Sequence, residues 1–181
     1  FGSSAMASFF TRETYNYDDR YYATYTYRYD GSSNFGPNNR WAGFHSLAGS
    51  WRFTNEKFMK NVAWISNGKI RIGWGQTGNA DISTNAFASY YAQEAYNKED
   101  KSKQIGVFQG RLENPDLKWE TTTEWNVGLD FGFFNNRLSG SVDLYQRLRK
   151  DVILEKNLMS YQEVKTIDYN SATVYRARGI D

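Results

Sequence analysis

The sequence predicts an all-β fold: an antiparallel, up-and-down wall of a transmembrane barrel that belongs to something larger. Three observations carry this. Residues 119–133 alternate strictly, with Trp119, Thr121, Thr123, Trp125, Val127, Leu129, Phe131 and Phe133 in one row and Glu120, Thr122, Glu124, Asn126, Gly128, Asp130 and Gly132 in the other. A period of two means a strand with one apolar and one wet face. The run is far longer than the five or six residues (about 17–20 Å) usual for a soluble strand. Aromatics make up 18% of the chain and its only prolines are Pro37 and Pro115, a balance that favours pleated surfaces. Finally, the connections alternate short and long, as in membrane barrels with tight turns at one end and large loops at the other.

The elements follow in order. Residues 4–17 form a first strand with weak alternation, and Asp18-Asp19-Arg20 a tight turn. Tyr21, Ala23, Tyr25, Tyr27 and Tyr29 then share one face, opposite Tyr22, Thr24, Thr26, Arg28 and Asp30. The segment 31–39, rich in Gly, Ser and Asn, is a loop. A third strand spans 41–53. Residues 55–64 have room for a helical turn, since Phe58, Met59 and Val62 have helical spacing. A fourth strand spans 69–76, with Ile70, Ile72 and Trp74 together. A long polar loop of about 77–117 follows. After the strand at 119–133, Asn135-Asn136 makes a turn at positive φ. The sixth strand starts near Leu138, with Leu138, Gly140, Val142 and Leu144 on one face, and extends to about Leu154.

Six strands cannot close a wide barrel, and open edges are untenable in lipid. Residues 1–181 are therefore expected to be part of a larger barrel domain. The short-long order places the loops at 30–40, 77–117 and beyond 154 on the cell exterior. By parity, Arg28, Asp30, Glu120, Glu124, Asp130 and Asp143 line a hydrated lumen. Tyr25, Tyr27, Trp125, Val127, Leu129, Phe131 and Leu144 face lipid, with Trp119 near or above the outer interface. Tyr90, Tyr91, Tyr96 and Phe108, read as loop aromatics, are the candidates for ligand or partner contact, because binding residues concentrate on loops.

Composition narrows the function. Mean hydropathy is −0.74 and no run of about 18 apolar residues occurs, which excludes a transmembrane helix but not a barrel. Net charge is +2 with interspersed signs, so there is no case for nucleic acid. Cysteine is absent, which removes disulfides and thiolate metal sites. Gly73 to Gly78 lack the Gly-Lys-Ser/Thr of a phosphate loop. His45, the only histidine, has no nucleophile motif beside it and reads as structural. Glu120 and Glu124 sit about 13 Å apart along a strand, against about 5–9.5 Å for glycosidase carboxylates. No catalytic residue, cofactor or metal is expected. The competing reading is a soluble β-sandwich that binds carbohydrate; it accounts for the aromatics but not for the strand length or the loop order.

Particular residues add a resemblance. Tyr29-Asp30-Gly31-Ser32-Ser33-Asn34-Phe35-Gly36 with Asn38-Asn39-Arg40-Trp41, then Glu56-Lys57-Phe58-Met59, Gly73-Trp74-Gly75-Gln76-Thr77-Gly78-Asn79, and above all Asn114-Pro115-Asp116-Leu117-Lys118-Trp119-Glu120-Thr121-Thr122 resemble, in order, the SusC/RagA family of TonB-dependent transporters. The resemblance implies a barrel of the 22-stranded, plugged type. It also implies import of glycans or oligopeptides across the outer membrane of Bacteroidetes-type bacteria. The implied partners are a SusD/RagB-like surface lipoprotein, TonB and outer-membrane lipids. Plug and TonB-contacting segments are not among the residues that match.

Overall fold

In a computed structural model the chain is described over residues 3–82, 86–97, 103–158, 164 and 166–181, with the backbone alone for 94–97, 103 and 104. The strands are β1 (Met6–Tyr17), β2 (Tyr21–Ser32), β3 (Trp41–Trp51), β4 (Ile65–Asn79), β5 (Tyr90–Asn97), β6 (Lys103–Leu112), β7 (Glu120–Phe133), β8 (Leu138–Lys150), β9 (Ile153–Asn157), β10 (Thr166–Asn170) and β11 (Tyr175–Ile180). They form a seven-stranded antiparallel sheet, β1-β2-β3-β4-β7-β8-β11, and a four-stranded sheet, β5-β6-β10-β9.

The expected strands are present, with corrected ends. β4 begins at Ile65 rather than 69, because a bulge between Ile65 and Asn67 resets its alternation. β8 stops at Lys150, where Asp151 turns at φ 55, and Ile153 and Leu154 belong to β9 instead. β11 is a seventh wall strand paired to β8. The stretch 77–117 is not one solvated loop. β4 runs through it to Asn79, and β5 and β6 form a hairpin within it. Between β3 and β4 stand two 3₁₀ turns, Phe53–Asn55 and Lys57–Met59.

The short turns behave as their residues require. Asp18 and Asp19 sit at φ 53 and 49, and Asn135 and Asn136 at φ 59 and 60, the left-handed region that Asp and Asn tolerate. Ser66 Oγ accepts from the backbone N–H of Asn135 at 2.7 Å, tying that turn to β4.

Register sorts the large sheet into two faces. The row Tyr15, Ala23, Gly49, Ile72, Val127, Leu144 and Ile180 runs across every strand on one side. This side carries Leu47, Ile72, Trp125, Val127 and Leu144, which are 54, 58, 54, 48 and 48% exposed. Among the described residues nothing covers it, which is the reverse of a sandwich, where a second sheet would bury that face. The other side carries most of the charged and small polar residues, while Glu13, Arg176 and Arg178 on the two edge strands stand on the apolar side.

The apolar band is oblique to the register. From β2 to β8 its continuous upper limit falls at Tyr29 on β2, at the paired Trp74 and Trp125, and at Leu144 before polar Gln146, while on the edge strand β1 the row is interrupted by Glu13 opposite Tyr25. Leu144 lies in the row of Ala23, so the limit drops by 29 − 23 = 6 residues between β2 and β8. That is roughly 20 Å along the strand over four strand spacings of about 4.8 Å, an inclination of roughly 45°. The lower limit drops in the same sense, from Tyr21 and Trp51 to Phe133. Strands in membrane barrels tilt by about 35–45°.

Candidate functional site

The candidate site is the polar face with the structure at its long-loop end. Each acidic residue expected on this face stands there, and each is held by an arginine. Arg71 of β4 donates to Asp130 through Nε at 3.0 Å and Nη2 at 2.9 Å, and to Asp143 through Nη2 at 2.9 Å. Gly128 makes this possible, because a β-carbon there would run into Asp143 and the Arg71 guanidinium. Arg147 meets Glu124 at 2.7 Å, Arg149 meets Glu120 at 3.2 Å, and Arg28 meets Asp30 at 3.0 Å. Glu120 and Asp30 are buried. Lys69 and Arg52 lie over the Tyr22 ring at 5.9 and 6.0 Å. The face is thus a ladder of ion pairs, and the carboxylates are committed to arginines rather than paired for acid–base chemistry. Among the described residues, no group of three or more His, Asp or Glu side chains could hold a metal ion.

Arg28 is expected on this face, whereas Arg71, Arg147 and Arg149 are the partners that parity alone does not single out. A signal was available: in a hairpin the paired residue numbers share one sum. The turn gives 135 + 136 = 271, and Glu124 with Arg147 gives 124 + 147 = 271, as does Gly128 with Asp143.

The apolar residues Tyr25, Tyr27, Trp125, Val127, Leu129, Phe131 and Leu144 all fall on the opposite face, as parity requires. His45 lies among them. Tyr25 Oη is 2.8 Å from its Nδ1, and the Tyr27 ring is 4.7 Å away. Trp119 is a correction: it is 4% exposed and does not continue the apolar row. The strand starts only at Glu120, and the preceding chain tucks Trp119 inward. Its ring stacks on Phe35 at 4.9 Å and meets Phe44 edge-on at 5.8 Å, and its Nε1 donates to the Asn39 carbonyl at 3.1 Å. Phe44 pairs with Arg28 in register and so belongs to the polar side. With Leu117 and Ala86 these rings make the buried core, which closes over the long-loop end of the polar face. The motifs around Phe35 and Trp119, distant in sequence, therefore pack against one another.

The four-stranded sheet joins the two longest connections. β6 and β10 pair in parallel through Thr166 with Arg111 and Ile167 with Leu112. Arg111 Nη1 contacts Asp168 Oδ2 at 3.0 Å, with side chains only 12 and 10% exposed. Burial raises the Asp168 carboxyl above its ordinary range despite Arg111, with Glu155 adding to the rise. Asn170 clamps the base, donating to the carbonyls of Lys118 and Asp151 at 2.8 Å each. Tyr90, Tyr91 and Phe108, expected on loops, stand on β5 and β6. Tyr90 packs on Gly110 and on Arg111, 5.4 Å from its guanidinium, whereas Tyr91 is 71% exposed. Tyr96 is in β5, but its side chain lies outside the described residues.

A two-faced sheet with tilted strands and structured long loops narrows the choice of family, and comparison decides it. The family model described as TonB dependent receptor-like, beta-barrel matches residues 2–181. The chain belongs to this TonB-dependent receptor β-barrel family. It is 38% identical over 161 residues to the TonB-dependent receptor SusC of Bacteroides thetaiotaomicron, covering 83% of this chain and 15% of that protein. It is 36% identical over 165 residues to TonB-dependent receptor P3 of Formosa agariphila, covering 89% of this chain and 16% of that one. Among solved structures, a chain of the RagAB peptide importer in its closed-closed state superposes with TM-score 0.85 at 32% identity, over 98% of this chain and 19% of that one. The siderophore receptor PirA of Pseudomonas aeruginosa shares the fold, with TM-score 0.60 at 13% identity. This TonB-dependent receptor segment thus spans less than a fifth of the length of SusC, of P3 and of the RagAB chain.

Proposed function

We propose that the chain is a wall segment of a TonB-dependent outer-membrane importer. Its apolar face contacts lipid and its arginine–carboxylate ladder lines the hydrated lumen. The observation that carries this is the oblique apolar band, whose inclination matches the tilt of barrel strands in a bilayer. The tight turns at 18–20 and 134–137 then lie on the periplasmic side. The Phe35–Trp119 core and the β5-β6-β10-β9 module lie on the cell exterior, the module within the loop of about 77–117 and the one after β8.

The likeness to SusC and to RagAB supports a cargo of glycans or oligopeptides, taken up with a SusD/RagB-like surface lipoprotein and driven by TonB. Other parts of the full-length protein supply the remaining wall, the plug and the TonB contact. A solute entering from outside meets the buried mouth core first and the ion-pair ladder next. Nothing in this arrangement does chemistry on the solute.

The test uses the full-length protein in its own host. Deletion should abolish growth on one polymer class, glycan or peptide, and a tagged copy should copurify a surface lipoprotein. Growth unaffected on every glycan and peptide source would contradict the import reading.

A further inference from the structure

The connection between β3 and β4 is longer than the two tight turns at the same end, and it is built rather than loose. Its 3₁₀ turns are closed by Glu56 N–H to Phe53 O at 3.1 Å, Met59 N–H to Glu56 O at 3.1 Å and Val62 N–H to Met59 O at 2.9 Å. Glu56 pins one end to the apolar face. Its carboxylate accepts from Tyr21 Oη at 2.6 Å, Arg20 Nη1 at 3.0 Å and Trp51 Nε1 at 3.2 Å. Tyr21 and Trp51 are register partners on that face, with rings stacked 6.5 Å apart. Trp64 pins the other end, stacking 5.6 Å from Phe133, itself 5.5 Å from Phe131. The connection therefore continues the apolar band at both ends.

What it presents between those pins is amphipathic. Phe58 is 64% and Trp64 54% exposed. Phe134, bonded through its N–H to the Trp64 carbonyl at 2.9 Å, is 60% exposed at φ 52, a strained conformation for a bulky residue. Residues three apart eclipse in a 3₁₀ turn, so Lys57 and Lys60 project to one side. Among the described residues neither lysine has an ion-pair partner. Aromatic rings beside cations at the edge of an apolar band match the headgroup layer, where rings settle between acyl chain and water.

We infer that residues 53–64 form a phospholipid-binding hook, in which Lys57 and Lys60 hold the phosphate of an anionic lipid of the periplasmic leaflet and Phe58 and Trp64 seat at its acyl boundary. The inference rests on the membrane orientation given under Proposed function. The occupant is a lipid because the surface is continuous with the apolar band and its lysines are opposite in charge to the headgroup.

The test places the full-length protein in nanodiscs of phosphatidylethanolamine with phosphatidylglycerol. Lys57→Gln with Lys60→Gln should weaken retention of phosphatidylglycerol, read by native mass spectrometry, about 30-fold, the equivalent of about 2 kcal/mol for two lysines at an anionic surface. Spin labels at Phe58→Cys, Val127→Cys and Asn126→Cys separate the ways of failing. The hook predicts a label at 58 shielded from a water-soluble relaxant and one at 127 fully lipid-exposed. Unchanged retention in the lysine variant, or a label at 58 as wet as that at 126, overturns the hook alone. A wet label at 127 overturns the membrane orientation with it.

Discussion

Arg71 of β4 holds Asp130 of β7 through two parallel hydrogen bonds of 2.9 and 3.0 Å, and the same guanidinium reaches Asp143 on the next strand. One cation thus bridges three strands of the polar face. Removing it leaves two carboxylates facing each other without a counter-charge.

Arg71→Leu should therefore destabilise the barrel by about 1–3 kcal/mol, a range lowered for partial exposure. Asp143→Asn, which leaves the bonds to Asp130, should cost under about 1 kcal/mol. Urea unfolding of the full-length protein in lipid vesicles distinguishes them. Equal losses would mean that Arg71 does not act as the shared cation.

Trp119 joins the motifs around Phe35 and Leu117 at the long-loop end of the sheet. Trp119→Ala should cost about 3–5 kcal/mol by emptying the buried ring site. Trp119→Phe should cost about 1–2 kcal/mol, the bond to the Asn39 carbonyl. Hydrogen exchange should show the loss of protection at 31–40 and 114–119 and not at the β7–β8 turn. Uniform loss would argue against a local core.

The two ends should respond to pH with opposite signs. Burial raises the Asp168 carboxyl above its ordinary 3.8, so the folded four-stranded module holds that proton more tightly than the unfolded chain. Its contribution favours folding most at low pH and declines as pH rises from about 3.8 through the raised value. Hydrogen bonds led by that from Tyr21 lower the Glu56 carboxyl below its ordinary 4.5. Its contribution is present above 4.5 and is lost as pH falls through the lowered value. Exchange protection, corrected for intrinsic rates, should fall with rising pH around β10 and rise around 53–60. Asp168→Asn should abolish the first trend, and a wild-type rise of protection with pH at β10 would contradict it.

Local pattern carried most of the wall. Alternation in 119–133, in 21–30 and in 138–144 placed each candidate residue on the polar or the apolar face where it stands, because side chains alternate strictly along regular strands. It failed where contacts are non-local. Trp119 has the parity of the apolar row, but its partner Phe35 lies 119 − 35 = 84 residues away. The parallel pairing of β6 with β10 and the Arg111–Asp168 bridge, 57 residues apart, leave no local trace. β11 was hidden because Arg176 and Arg178 occupy the side where the other strands carry apolar residues. The Ser66 bulge concealed the start of β4 by breaking the period.

The Trp125–Val127–Leu129 face is expected to meet lipid, and the residues between them water. Paired arginine substitutions in the full-length barrel test it most directly. Leu129→Arg should destabilise the vesicle-embedded protein by about 2–4 kcal/mol. Asn126→Arg, across from Gly73 on the other face, should change stability by less than about 1 kcal/mol. Equal tolerance at the two positions, or the larger loss at 126, would contradict the account.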